Sequence, residues 1–312
     1  MRKIFSVIAV FLVVMITGNS CQKDAATIIE NSFVTPQVDA GNAVTVQLPA
    51  SVTLSGTVIK SNGPIRGYLW SLVGGPNIPS IHTPSMITTT ISGMVQGTYR
   101  FQFVAIDSAG FSGVDTVTVT AQAPVQQTLT LQPSNNPNEV IFAVITGGGD
   151  VSAHDIDLNA GAWTSGGLPS FARGGVRFDL SSIPAGATIV SAKLSLCSNP
   201  TPINGNLTDA NSGSNNAFYV RRVTANWNAV GATWAGQPAT DVSGQVSVPH
   251  TSQAFFDVQD IDVTGQVAQM VAGLNYGFMI QLQNEVAYNI RQFASSRHSN
   301  AAKRPKLVVV YQ

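Results

Sequence analysis

The sequence predicts an all-β protein of two folded units, an antiparallel β-sandwich followed by a larger β jelly-roll or sandwich domain with one short helix. Short segments of alternating polar and apolar residues recur along the chain between turns containing Gly, Pro, Asn and Ser, the pattern of half-buried antiparallel strands. Only 10% of residues are charged, against about a quarter in an average soluble domain, and Ser, Thr, Asn and Gln carry the polarity, as in extracellular β proteins. The 312 residues exceed one domain, since domains typically hold about 100–200.

Arg2 and Lys3 precede an apolar run from Ile4 to Ile16, broken only by Ser6. As a helix this run spans about 20 Å, short of a hydrocarbon core of about 30 Å. Residues 1–20 therefore read as a secretory leader and not as a membrane span, and no later run approaches the length of one. Gly18-Asn19-Ser20-Cys21 follows. A cysteine after a small residue at this distance resembles a bacterial lipoprotein signal of the kind common in Bacteroidota. The resemblance implies lipidation of Cys21 and a tether over residues 21–35; the alternative is a plain secretory leader cut nearby. With Cys21 lipidated, Cys197 has no disulfide partner. It ends a segment where Ala192, Leu194 and Leu196 alternate onto one face, so it reads as a strand residue and not a nucleophile.

Residues 36–122 hold strand-like segments at Val44–Leu48, Val52–Leu54, Tyr99–Val104 and Val114–Val119. Turns at Gly63-Pro64, Gly74-Gly75-Pro76, Ser92-Gly93 and Ser108-Ala109-Gly110 divide them, the spacing of an antiparallel sandwich. The ordered blocks Asp39-Ala40-Gly41, Leu54-Ser55-Gly56, Tyr68-Leu69-Trp70-Ser71, Gly97-Thr98-Tyr99 and Val104-Ala105-Ile106-Asp107 resemble a PKD-type immunoglobulin-like repeat over nearly the whole segment. The resemblance implies that Trp70 is the core tryptophan, that Asp107 and Asp115 serve turns and strand edges, and that the domain is a spacer. Residues 123–126 form a short linker.

Residues 127–312 show further strands, among them Gly175–Leu180, Ile189–Leu196, Ala217–Val223, Tyr276–Leu282 and Lys306–Tyr311. In Val263–Leu274 the period changes: Val263, Val267, Met270, Val271 and Leu274 follow helical spacing, with Gly273 near the end. Several blocks occur in order: Arg177-Phe178-Asp179-Leu180, Tyr219-Val220-Arg221-Arg222-Val223, Trp227-Asn228 with Ala232-Thr233-Trp234, Asn275-Tyr276-Gly277-Phe278 and Arg304-Pro305-Lys306-Leu307. Together they resemble the disaggregatase-related DNRLRE domain, grouped with carbohydrate-binding module family 96. The resemblance implies a polysaccharide partner, and related modules bind alginate-like polyuronates. The start of the domain departs from the family. Asn138-Glu139-Val140-Ile141 stands where an aspartate usually opens the first strand, and Trp163-Thr164-Ser165-Gly166-Gly167 stands near the usual Asn-Tyr-Gly element. That departure removes support for a ligand or ion site at this edge.

Sixteen basic residues balance sixteen acidic ones, which argues against a nucleic-acid partner, since phosphate binding needs clustered cations. His82, His154, His250 and His298 are dispersed, and neither a GxSxG elbow nor a phosphate-binding glycine loop occurs; the chain reads as non-catalytic. Trp227 and Trp234 offer aromatic faces for a sugar ring, or alternatively core packing. Arg221, Arg291 and Arg297 suit the carboxylates of an acidic sugar, because the guanidinium fork matches a carboxylate. Asp150, Asp155 and Asp157, on a glycine-rich loop, suit a structural calcium ion or a solvated turn. The expectation is a secreted, cell-surface or outer-membrane lipoprotein that binds an acidic polysaccharide. The rival is a structural or adhesive surface protein without sugar affinity.

Overall fold

The computed structural model describes residues 34–133, 138–146, 149–153 and 156–312, with the backbone alone for 149–153. Residues 1–20, expected to be a leader, and Cys21 lie outside the described residues. The chain divides into two compact units that part between Pro124 and Val125.

The first unit holds β1 (Gln37–Asp39), β2 (Val44–Gln47), β3 (Val52–Ser55), β4 (Thr57–Lys60), β5 (Ile65–Gly74), β6 (Ser80–Ile81), β7 (Thr88–Ser92), β8 (Gly97–Asp107) and β9 (Ser112–Gln122). A four-stranded sheet in the order β2-β9-β8-β5 and a three-stranded sheet β3-β7-β6 share one core, with β1 and β4 paired beside them. Period two is plain on β8, where Tyr99, Phe101, Phe103 and Ala105 are fully buried and alternate with more exposed Arg100, Gln102 and Val104. Trp70 is buried 4.8 Å from the Phe103 ring and donates its indole N–H to the Ile87 carbonyl at 3.3 Å. It is the core tryptophan that the sequence implies. Asp107 accepts the backbone N–H groups of Ala109 and Phe111 and so closes the β8–β9 turn, while Asp115 accepts that of Ala40.

The second unit holds β10 (Gln127–Leu131), β11 (Glu139–Ile145), β12 (Gly149–Ala153), β13 (Asp157–Ser165), β14 (Leu168–Val176), β15 (Ile189–Leu196) and β16 (Asn211–Ser212). It continues with β17 (Phe218–Arg222), β18 (Val246–Val248), β19 (Val258–Asp262), α1 (Thr264–Ala272), β20 (Phe278–Leu282), β21 (Asn289–Ala294) and β22 (Lys306–Tyr311). A four-stranded sheet, β10-β22-β15-β19, packs on a nine-stranded one in the order β16-β21-β13-β14-β20-β17-β18, with the β11–β12 hairpin along the other edge of β14. The large sheet curls because β14 changes partner. Its first half pairs with β13 and its second half with β20, while β11 runs along Ser170 to Val176 on the other edge. Leu158, Ala160 and Ala162 of β13 face the core with Phe218, Phe293, Leu194 and Val309.

Helix α1 sets Val267 and Met270 into that core. Leu274 lies past Gly273, which ends the helix, and is 67% exposed, so the apolar stripe stops earlier than its spacing suggests. Cys197 is buried and unpaired, and burial pushes its thiol pKa up, which suits a packing residue.

Candidate binding groove

Alternation divides β11 between two environments. Val140 and Phe142 pack with Trp227, Val223 and Met279 in a satellite cluster, whereas Ile141, Ala143 and Ile145 line a groove. On β13, Asn159, Gly161 and Trp163 line the same groove, on the face turned away from Ala160 and Ala162. Register aligns Ala143, Ala172, Gly161 and Ile290 in one row across β11, β14, β13 and β21. Three small residues in that row make a low floor. A Cβ added to Gly161 would stand 2.7 Å from Ile290 Cγ1, so the floor has no room for a side chain there. Ile203, Asn204, Gly205 and Leu207 form one wall, and the space enclosed is about 390 Å³, within the range of small-ligand sites.

The wall is tied to the floor by Asp157. This buried carboxylate accepts the Ile203 N–H and the Asn204 side-chain amide, each at 3.0 Å, and also the Asn199 side-chain amide. At the other end of β13, half-buried Trp163 meets Tyr288 edge-on, with ring centroids 5.3 Å apart and planes at 81°. Tyr288 is 58% exposed and has φ 68°, a left-handed conformation that non-glycine residues adopt at some cost. Asn289 holds it there by donating to the Val286 carbonyl at 2.9 Å and accepting the Asn215 N–H at 2.8 Å. Gly213, itself at φ 99°, is the close neighbour, where a Cβ would collide with the Tyr288 carbonyl. The fold thus fixes two partly exposed aromatic rings as a corner beside the groove.

The residues singled out in the sequence fall mostly elsewhere. Trp227 is only 7% exposed, donates its indole N–H to the Tyr276 carbonyl at 2.7 Å, and carries the Arg177 guanidinium 4.8 Å over its ring. It has no free face for a sugar, which corrects that expectation in favour of core packing. Trp234 is half-buried, covered by Arg173 at 4.6 Å and adjoining Phe171; Arg173 is itself fixed by a two-pronged ion pair with Glu285. Arg291 is also a correction. It lies opposite Ala160, on the core-facing side of β21 with Phe293, is fully buried, and sits over Phe218, Phe256 and Phe293. Burial pushes its pKa down to about 10.

Arg221 is half-buried over the Tyr219 ring and donates to Gln245 at 2.7 Å; Arg297 is half-buried. Neither forms an ion pair among the described residues. Asp155 and the side chain of Asp150 lie outside the described residues, and among the described residues no cluster of His, Cys, Asp and Glu suits a metal. Trp163 is what sequence reasoning missed. Its place two residues after Gly161, alternating with Ala160 and Ala162, puts it on the non-core face, but alternation alone does not say which face is open.

The family model of the K319L-like PKD domain matches residues 40–121, and that of carbohydrate-binding module family 96 matches residues 170–311. The chain thus matches a PKD model and then a family 96 model, in the order that the sequence blocks imply. The PKD-type unit is similar to the solution structure of the PKD domain from the KIAA 1837 protein, at 28% identity over 30% of this chain and 92% of that one, TM-score 0.27. The PKD domain from human KIAA0319 matches at 24% identity over 35% of this chain and 95% of that one, TM-score 0.25. A structure of carbohydrate-binding modules from the β-sandwich superfamily matches at 12% identity over 89% of this chain and 98% of that one, TM-score 0.22. No curated protein matches the chain. The groove is built partly from β11 and β13, which precede the first residue matched in the family 96 module, and partly from β14 and β21 within it.

Proposed function

We propose that this chain is a non-catalytic, secreted carbohydrate-binding protein whose family 96-type unit holds a stretch of polysaccharide in the groove, with the PKD-type unit as spacer. The observation that carries the reading is the Trp163–Tyr288 corner beside a groove whose lining residues are all uncharged. Aromatic faces cover the C–H faces of pyranose rings, and amides and hydroxyls at Asn159, Asn204, Thr164 and Ser170 meet sugar hydroxyls. Both matched models are of non-catalytic kinds.

Affinity electrophoresis against β-glucan, mannan and alginate at two salt concentrations tests this. A neutral polymer is expected to retard the wild type at either salt, and Trp163→Ala to abolish the retardation. Retention of no polymer would favour the structural or adhesive role. A second reading, an acidic polysaccharide bound through Arg221 and Arg297, is favoured because neither guanidinium forms an ion pair among the described residues. It predicts retardation by alginate that weakens with salt, because exposed pairs are screened over about 8–10 Å, and that Trp163→Ala leaves unchanged. Lipidation at Cys21 places the protein on a membrane surface; Cys21→Ser is expected to move it to the soluble fraction, and unchanged fractionation would mean a plain secretory leader.

A further inference from the structure

The outer face of the large sheet carries two neighbouring arginines. Gly174, Ile280 and Val220 stand in one row across β14, β20 and β17, on the side of the main core. Arg173, one residue before Gly174, therefore falls on the opposite face, and so do Tyr219 and Arg221, on either side of Val220. Each guanidinium lies over an aromatic ring there, Arg173 over Trp234 at 4.6 Å and Arg221 over Tyr219 at 4.9 Å. Their charges reach one another. Burial holds the Arg221 pKa below its usual value, Tyr219 and Glu285 oppose that shift, and Arg173 adds to it.

The two differ in what holds them. Arg221 donates through Nε to Gln245 at 2.7 Å, and among the described residues its terminal nitrogens make no hydrogen bond. Arg173 is filled. Its Nε and Nη2 donate to the two oxygens of Glu285 at 2.6 and 2.7 Å, and its Nη1 donates to Gln237 at 3.2 Å. Two parallel N–H groups of a guanidinium match a carboxylate, so Glu285 sits where a carboxylate from outside would sit. The Arg173 and Glu285 side chains are 25% and 22% exposed. Water competes for both partners of such a pair, and an incoming anion can exchange with it.

We propose that Glu285 is an internal competitor: it fills the Arg173 fork in place of a ligand carboxylate, so this face offers an acidic polymer one arginine, Arg221, where it carries two. The inference rests on the acidic reading above and goes beyond it by naming the residue that limits affinity. When a ligand carboxylate displaces Glu285, one arginine–carboxylate contact is exchanged for another, and the exchange itself adds little to binding. Removing the Glu285 charge turns the same contact into a net gain. Arg173 keeps its place without Glu285, because the Trp234 ring lies under it and Gln237, itself tied to the Trp234 carbonyl at 2.9 Å, holds Nη1.

Titration calorimetry of the full chain with alginate and with polygalacturonate, at physiological ionic strength, tests this. Glu285→Gln keeps the volume of the side chain and Glu285→Ala clears the fork. Each is expected to bind about five- to tenfold tighter than wild type, the worth of a two-pronged arginine–carboxylate contact at a partly exposed site. Loss of any nearby negative charge raises affinity for a polyanion, so the comparison is repeated with Arg173→Gln. In that background Glu285→Gln should change affinity by no more than about twofold, the scatter of changes that do not interact. Arg173→Met, which keeps an apolar stem over Trp234, carries the comparison if the glutamine variant folds poorly. Equal gains with and without Arg173, or no gain in either Glu285 variant, overturns the proposal. A purely structural ion pair would instead lower the melting temperature and the affinity together, and that also overturns it. Binding of neither polymer by wild type and by both Glu285 variants, or full affinity in Arg221→Gln, refutes the acidic reading of this face and is read separately.

Discussion

Arg291 offers the sharpest test of how the second unit is held together. Its guanidinium is fully buried over three phenylalanine rings, 5.2, 6.0 and 5.4 Å from Phe218, Phe256 and Phe293, and its Nε and Nη2 make no hydrogen bond. Its polar contact among the described residues is a long one, 3.5 Å to the Pro249 carbonyl. Two effects oppose each other. Burial lowers the pKa from 12.5 to about 10, a depression that corresponds to about 3 kcal/mol against the charged form. The aliphatic stem and the ring contacts act the other way, at about 0.8 kcal/mol for each buried methylene and about 0.5–2 kcal/mol for a cation–π contact. Methionine keeps the length and the apolar stem but drops the charge. Replacing a buried charge by an apolar side chain of similar volume is commonly neutral or stabilising by about 1–4 kcal/mol. Arg291→Met is therefore expected to raise the unfolding free energy by about 1–3 kcal/mol. Arg291→Ala should lie below Met by about 2–5 kcal/mol, because it opens a cavity.

The sign of the linkage sets the conditions. The folded pKa of this base lies below the unfolded one, so the penalty is constant up to about pH 10 and is relieved only above it. Urea denaturation of wild type and both variants at pH 6 and pH 8 should thus give the same differences at each pH. A methionine variant less stable than wild type by about 1 kcal/mol or more would refute the reasoning, since the guanidinium would then be held by an interaction larger than its burial penalty. Polysaccharide affinity should not change in either variant.

Other outcomes follow from the same geometry. Glu139 is buried, and burial pushes its pKa from 4.5 to about 7 despite a 2.6 Å hydrogen bond from the Ser296 N–H and the charges of Arg297 and Arg304. Because the folded value is the higher, its stabilising contribution is complete below about pH 4.5 and is lost as pH rises through about 7, by up to about 3 kcal/mol. The stability of Glu139→Gln relative to wild type should rise between pH 5 and pH 8 in urea titrations; a flat difference would contradict the burial effect. Trp227→Ala should cost about 3–5 kcal/mol as a core aromatic, whereas half-buried Trp163→Ala should cost under about 1 kcal/mol, as thermal unfolding of the two would show. The sequence expectation of calcium at Asp150, Asp155 and Asp157 is kept as a proposal for Asp150, on β12, and Asp155 alone, because three amide donors already engage Asp157 on β13. Chelation by EDTA should then lower the melting temperature by several degrees, and an unchanged melting curve would remove the ion from the account.

The amino-acid sequence by itself determined the β class, the order of the two units and the principal core positions. Alternation is a local property, and on β8 the run Tyr99, Phe101, Phe103 needs no knowledge of distant residues to be read as one buried face. Helix α1 was legible for the same reason, because its period changes within a few residues and Gly273 stops it, whereas Trp70 was placed in the core by the resemblance to a PKD-type repeat. What the tertiary structure decided is which aromatic and which arginine meet solvent. Trp227 and Trp163 look alike in sequence, yet Arg177 and Phe142 close over the first, while the second stands beside a floor of Ala143, Ala172 and Gly161 gathered from three strands. Arg291 reads as a surface cation until its register opposite Ala160 turns it into the core. Alternation assigns a side chain to one of two faces. Which face is covered depends on the curl of the sheet and on loops that return from far along the chain, and those long-range contacts leave no local mark in the sequence.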